Sequence, residues 1–153
     1  MDVSPFALSR LLSDLTGRKV QVVEAGTKPA SAQPATVGVF IVHPSGSTIV
    51  MKTDTLLLGA LGGALAGLPE AIVKQQVAGT LDETLRDAMH EVLNVTSSVL
   101  TTKGRAVLQQ MVTEKPQADA LTRDASERAH LRVRYNASLP GCPSGDIVIY
   151  AVA

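Results

Sequence analysis

Leu8, Leu11, Leu12 and Leu15 recur at helical spacing near the start of the chain. Ser4 and Pro5 suit an N-cap and a first helical position, and Gly17 suits a stop. The period then changes. KVQVVEA reads as a strand, and GTKPASAQPA as a loop kept irregular by Pro29, Pro34 and small residues. TVGVFIVH and STIVMKT are β-branched runs separated by PSG, which predicts a hairpin over residues 36–53. Asp54 is placed to cap a helix running to about Gly67, which Leu68 and Pro69 break. EAIVKQQV reads as a short helix or turn. Thr80 and Glu83 form a T-x-x-E capping box that starts a second long helix, running to about Leu100. RAVLQQMV reads as a strand, and TEKPQADALTRDASERA as a polar loop with one helical turn. HLRVRYNA alternates, SLPGCPSG is turn-forming, and DIVIYAV closes a second hairpin.

The order is helix, three strands, two helical segments, three strands. Strands joined by short turns pair antiparallel, so the expected fold class is α+β. It is a largely antiparallel sheet of about six strands with two long helices packed on it. The 153 residues fit a single domain spanning 1–153. An exposed edge in the 130–153 hairpin would offer a way to pair two copies as a homodimer.

Composition narrows the function classes. Lys plus Arg and Asp plus Glu balance at 14 each, which argues against bare nucleic acid or an anionic membrane as partner. Phe6, Phe40, Tyr135 and Tyr150 are the only aromatics, too few for a base-stacking platform. Cys142 is the sole cysteine, which fits a reducing cytoplasm. MDVSPFALSRLL lacks the basic start and long apolar run of a signal peptide. TLLLGALGGALAGL, residues 55–68, is too short to span a bilayer, which takes roughly 20 apolar residues.

The candidate chemistry lies on the second long helix, in DAMHEVLNVTSS. With about 100° per residue and Asp87 as zero, Glu91 falls at roughly 40°, Asn94 near −20° and Ser98 near 20°. Leu85, Ala88, Met89, Val92 and Val99 cluster on the opposite side, at about 100° to 200°. On periodicity alone this row is the solvated face of an amphipathic helix. Two features weigh the other way. Asn is a poor residue for a helix interior, and Asp87 and Glu91 are like charges one turn apart.

The pattern Asp-x-x-x-Glu-x-x-Asn, followed some twenty residues on by a proline, resembles the CheC/CheX family of chemotaxis phosphatases. Here it is Asp87, Glu91, Asn94 and Pro116. The run STIVMKTDTLLLGALGGALAGLP also resembles that family's strand and small-residue helix, and the layout matches from about Val20 onward. The resemblance implies two long helices on an antiparallel sheet. It implies removal of the phosphoryl group from the receiver domain of a response regulator. Glu91 would pair with a lysine of the receiver, and Asn94 would orient the attacking water. Asp87 would support that face, with Ser98 beside it, and Pro116 would shape a nearby loop. The protein would need no cofactor of its own, because the receiver holds the Mg²⁺. The single motif is that of the CheX type. Two departures stand out: residues 96–99, TSSV, replace the family's usual Gly-Asn pair, and the interval to Pro116 is slightly short. The same fold without hydrolysis would make a docking module for a signalling or flagellar-switch partner.

Other candidates carry less. GALGGALAG lacks the Lys-Ser/Thr ending of a phosphate-binding loop and reads as a close-packing surface. Cys142 in PGCPSGD has no arginine following it where a cysteine phosphatase needs one. His43, His90 and His130 show no metal-ligand spacing. Arg132 and Arg134 alternate on one strand, which reads as a solvated face.

Overall fold

A computed structural model describes residues 3–26 and 33–153. Most of the predicted loop at 26–35 therefore lies outside the described residues.

Helix α1 spans Pro5–Thr16; the Ser4 hydroxyl accepts from the Ala7 N–H, and Gly17 adopts the left-handed C-cap at φ 69°. Strand β1 is Gln21–Glu24, β2 is Ala35–His43 and β3 is Thr48–Asp54. Helix α2, Thr55–Ala66, and the short helix α3, Glu70–Ala78, lead into α4, Glu83–Thr96. A 3-10 turn, Ser97–Val99, precedes β4, Arg105–Val112. Helix α5 is Lys115–Arg128, and the hairpin β5, Ala129–Ser138, and β6, Gly145–Val152, closes the chain.

The strands form one antiparallel sheet ordered β1-β5-β6-β3-β2-β4. Among the described residues, six strands and five helices make a mixed α+β fold, the class that the hydrophobic pattern predicts. β6 is buried along its whole length because both faces of the sheet are covered there. Ile147 and Ile149 join the core under α1, α2 and α4, with Phe40, Met51, Leu58 and Met89. Val148, Tyr150 and Val152 turn the other way, onto Ala118 and Ala125 of α5. The period-two alternation of a strand thus feeds two separate cores.

Several expectations change. The stretch predicted as a polar loop is the 14-residue helix α5. Its apolar stripe is only Ala118, Leu121 and Ala125, too slight to show a helical period, and it closes over the second face of the sheet. Lys115–Asp119 at 2.8 Å and Arg128–Asp124 at 3.0 Å brace it one turn apart. The cap of α4 is Asp82 rather than Thr80: its Oδ1 accepts the Leu85 N–H at 2.9 Å, and Gln76 Nε2 donates to its Oδ2 at 2.9 Å. A carboxylate at that end also meets the positive pole of the helix. Asp54 stands at the cap position of α2, yet its side chain does not cap; its Oδ2 accepts the Asp146 N–H, tying β3 to β6. Arg134 is not on a solvated face. Its guanidinium donates to Asp146 Oδ2 at 2.8 Å, and both side chains are largely buried.

The edge expected in the last hairpin is there in part: among the described residues no strand pairs with the outer side of residues 129–133 of β5. β6 sits between β5 and β3, and β1 pairs with the C-terminal half of β5. Among the described residues the full-length edge strand is β4, whose one ladder is to β2. No helix among the described residues is long and apolar enough to cross a membrane.

Candidate functional site

The candidate row is positioned from beneath. Glycines at 59, 62 and 63 strip one face of α2 of side chains, which lets neighbouring helices approach. A Cβ on Gly62 would lie 3.0 Å from the backbone nitrogen of Met89, and one on Gly63 would lie 2.4 Å from Val73 Cγ2. The small-residue run is therefore a packing surface that seats α4 and α3, as its composition predicts.

Seated this way, α4 buries Leu85, Ala88, Met89, Val92, Leu93 and Thr96. Asp87, Glu91, Asn94 and Ser98 are all exposed. No element of the described chain covers them. Neighbours three and four apart on a helix stand roughly 5–6 Å apart at Cβ, so Asp87, Glu91 and Asn94 form one contiguous strip. None of the three side chains makes a hydrogen bond or ion pair within the described residues. They are held only by the helix beneath them.

The C-terminal end of α4 is closed by hydroxyls. Thr96 Oγ1 donates to Val92 O at 2.7 Å, Ser97 Oγ donates to Asn94 O, and Ser98 Oγ donates to Val95 O at 2.9 Å. Ser97 and Ser98 thus finish the helix with side-chain bonds to two of its last carbonyls, groups left without partners at a helix end, while Thr96 bonds back within it. Ser98 lies in the 3-10 turn, two residues past the end of the helix proper.

Pro116 is not brought to this strip. It stands in the first turn of α5, which packs on the opposite face of the sheet from α4. Proline suits a first helical turn because the missing N–H is an unpaired group there in any case.

A groove that the sequence did not announce lies between α2, α3 and the β5–β6 turn. It is lined by Ala60, Leu68, Val73 and Leu139, with Arg18, Lys74 and Cys142 at its margin. Burial pushes the Cys142 thiol above its ordinary range, and the nearby Glu70 carboxylate adds to that. The signal was spread over four distant segments, so no local motif marked it. The groove does not include the α4 strip.

No family model matches the chain, and no curated protein matches it. Solved structures do. The chemotaxis protein CheX from Vibrio vulnificus superposes with a TM-score of 0.60 at 14% identity, covering 97% of each chain. The fold is the CheX fold. A chain of the FliM–SpeE complex from H. pylori superposes with a TM-score of 0.68 at 10% identity, over 97% of this chain and 81% of that one. A chain of the CheX–CheY–BeF3–Mg²⁺ complex from Borrelia burgdorferi gives 0.50 at 14% identity, over 99% of this chain and all of that one. The CheX-like architecture is therefore shared by a chemotaxis protein and by a chain of the FliM–SpeE complex.

Proposed function

We propose that this protein is a phosphatase for the aspartyl phosphate of a response-regulator receiver domain, in chemotaxis or two-component signalling. The observation that carries the reading is the exposed pair Glu91 and Asn94, on one line of α4 and free of partners within the described chain. The CheX fold adds support, because one structure with that fold is a complex with CheY, BeF3 and Mg²⁺.

Phosphoryl transfer needs positioning and charge stabilisation more than covalent help. In this reading the receiver brings the phosphoaspartate and its own Mg²⁺. Glu91 pairs with a lysine of the receiver and sets the docking register. The Asn94 carboxamide has an acceptor and a donor, so Oδ1 can accept a hydrogen bond from the water while Nδ2 donates beside it. That holds the water in line. The water oxygen attacks phosphorus and the bond to the aspartyl oxygen breaks; the carboxylate stays on the receiver, and inorganic phosphate leaves with the water's oxygen and protons. Asp87 adds negative charge to the same docking line. Ser98 tightens the turn after Asn94 through Val95 O. The single cysteine suits the reducing cytoplasm in which such receivers work.

The test is phosphate loss from an acid-labile phospho-receiver. The wild-type protein should accelerate it, and Asn94→Ala should not; no acceleration by wild type sinks the reading. A second reading is a docking module without turnover. It is favoured by the likeness to the FliM–SpeE chain and by TSSV at 96–99. Binding that persists without phosphate loss, and disappears in Glu91→Ala, selects it.

A further inference from the structure

The β2–β3 turn, the loop before β4 and the start of β5 meet around an open pocket of about 220 Å³. No residue of the α4 strip lines it. Its polar side chains are Ser45, Ser47, Thr48, Thr101, Lys103 and His130. Among the described residues no Asp or Glu lines it, in a chain whose acids and bases balance at 14 each. The buried Val42 and Ala151 give it an apolar floor.

The backbone builds this pocket at three points. Gly104 adopts φ 95°, and a Cβ there would run into His43 O. Glycine therefore lets the loop that carries Thr101 and Lys103 close on the end of β2. Thr101 Oγ1 accepts the Lys103 N–H at 3.2 Å and donates to Lys103 O at 3.0 Å, which fixes the tip of that loop. His130 is the extra residue of a β-bulge: Ala129 faces Val152, Leu131 faces Ala151, and His130 has no counterpart on β6. A bulge re-aims a side chain, and here the imidazole lines the pocket.

The free donors select the charge of the ligand. Neither the Lys103 ammonium nor the His130 ring makes a hydrogen bond or ion pair within the described residues, and Thr48 Oγ1 has no partner there either. A hard cation would need carboxylates, which this pocket lacks. A phosphate oxygen only accepts, and here it meets an ammonium, an imidazole and a hydroxyl that can donate to it.

We propose that this pocket binds a small aliphatic phosphomonoester. Lys103, His130 and Thr48 hold the phosphate, and the carbon chain lies on Val42 and Ala151. No aromatic side chain lines the pocket, so a nucleobase has nothing to stack on. The apolar floor favours the ester over inorganic phosphate. The site is separate from the α4 strip, and the proposal stands independently of the receiver reading.

The probes are propyl phosphate and inorganic phosphate, titrated at constant ionic strength into the isotope-labelled full chain and followed by NMR. Saturable shifts are expected at the amides of Thr48, Thr101 and Lys103 and at the ring protons of His130, with His90 unmoved. Propyl phosphate is expected to bind about fivefold more tightly than inorganic phosphate, through partial burial of its methylenes. Lys103→Gln is expected to weaken propyl phosphate about tenfold, and Thr48→Val about threefold. Lys103 is exposed, so Lys103→Gln keeps the fold, and an unchanged thermal midpoint checks it. Shifts that stay linear in ligand, equal shifts at His90, or unchanged affinity in Lys103→Gln overturn the site. Inorganic phosphate binding as tightly as the ester overturns the ligand class.

Discussion

Gly62 in α2 lies directly against the backbone of Met89 in α4, where a Cβ would sit 3.0 Å from the amide nitrogen. The contact is to backbone, so a flexible side chain cannot swing away to relieve it. Gly62→Ala gains roughly 1 kcal/mol of helix propensity but pushes two helices apart, and overpacking costs about 1–3 kcal/mol. The expected net result is a loss of about 1 kcal/mol, and a larger loss for Gly62→Val. Urea unfolding measures it as a lower midpoint with an unchanged slope. A midpoint raised by Gly62→Ala would show that α4 can shift outward at no cost.

The two candidate caps of α4 give a second prediction. Asp82→Ala removes the acceptor for the Leu85 N–H and the partner of Gln76, and should cost about 1–2 kcal/mol. Thr80→Ala should leave thermal stability within about 0.5 kcal/mol, as an exposed substitution away from any cap does. Equal losses at the two positions would restore the capping box.

That pair also shows what could be read from the chain and what could not. T-x-x-E has the right spacing, and nothing local distinguishes Thr80 from Asp82. The choice is made by Gln76, which reaches back from α3 to hold Asp82. Helix α5 was hidden for a related reason. Its buried stripe uses alanines, which carry little hydrophobic signal, and its place depends on a second face of the sheet that the helix's own sequence does not describe. The six strands and α4 were legible because Leu, Val and Ile mark their periods plainly. The strip of Asp87, Glu91 and Asn94 was legible for the same reason, since it follows from the helical period alone. The place of Pro116 was not, because it depends on which face of the sheet the next helix takes.

Cys142 supplies a prediction with a pH dependence. Its thiol is raised, first by burial and then by the Glu70 carboxylate. A raised thiol holds less thiolate at a given pH, and the thiolate is the nucleophile. Alkylation by iodoacetamide in the folded protein should therefore lag that of the urea-unfolded chain near neutral pH. The gap should narrow as the pH rises. Glu70→Gln removes one negative neighbour and releases Lys74 from its ion pair, so it should speed alkylation of the folded protein. Slower alkylation in Glu70→Gln would mean that access, not charge, governs the thiol.

Asn94 separates stability from function. It sits inside α4, is exposed, and its side chain bonds nothing within the described chain. Alanine is the better helix former there by roughly 0.5 kcal/mol. Asn94→Ala should therefore raise the unfolding midpoint slightly while it abolishes phosphate release from a phospho-receiver. Asp87→Gln relieves repulsion with both Glu83 and Glu91, and should also stabilise, by a few tenths of a kcal/mol. A residue kept for structure destabilises when removed; one kept for a partner does the reverse. If Asn94→Ala lowers the midpoint by more than about 1 kcal/mol, the amide is holding α4 in place, and loss of turnover in that variant would no longer point to an aimed water.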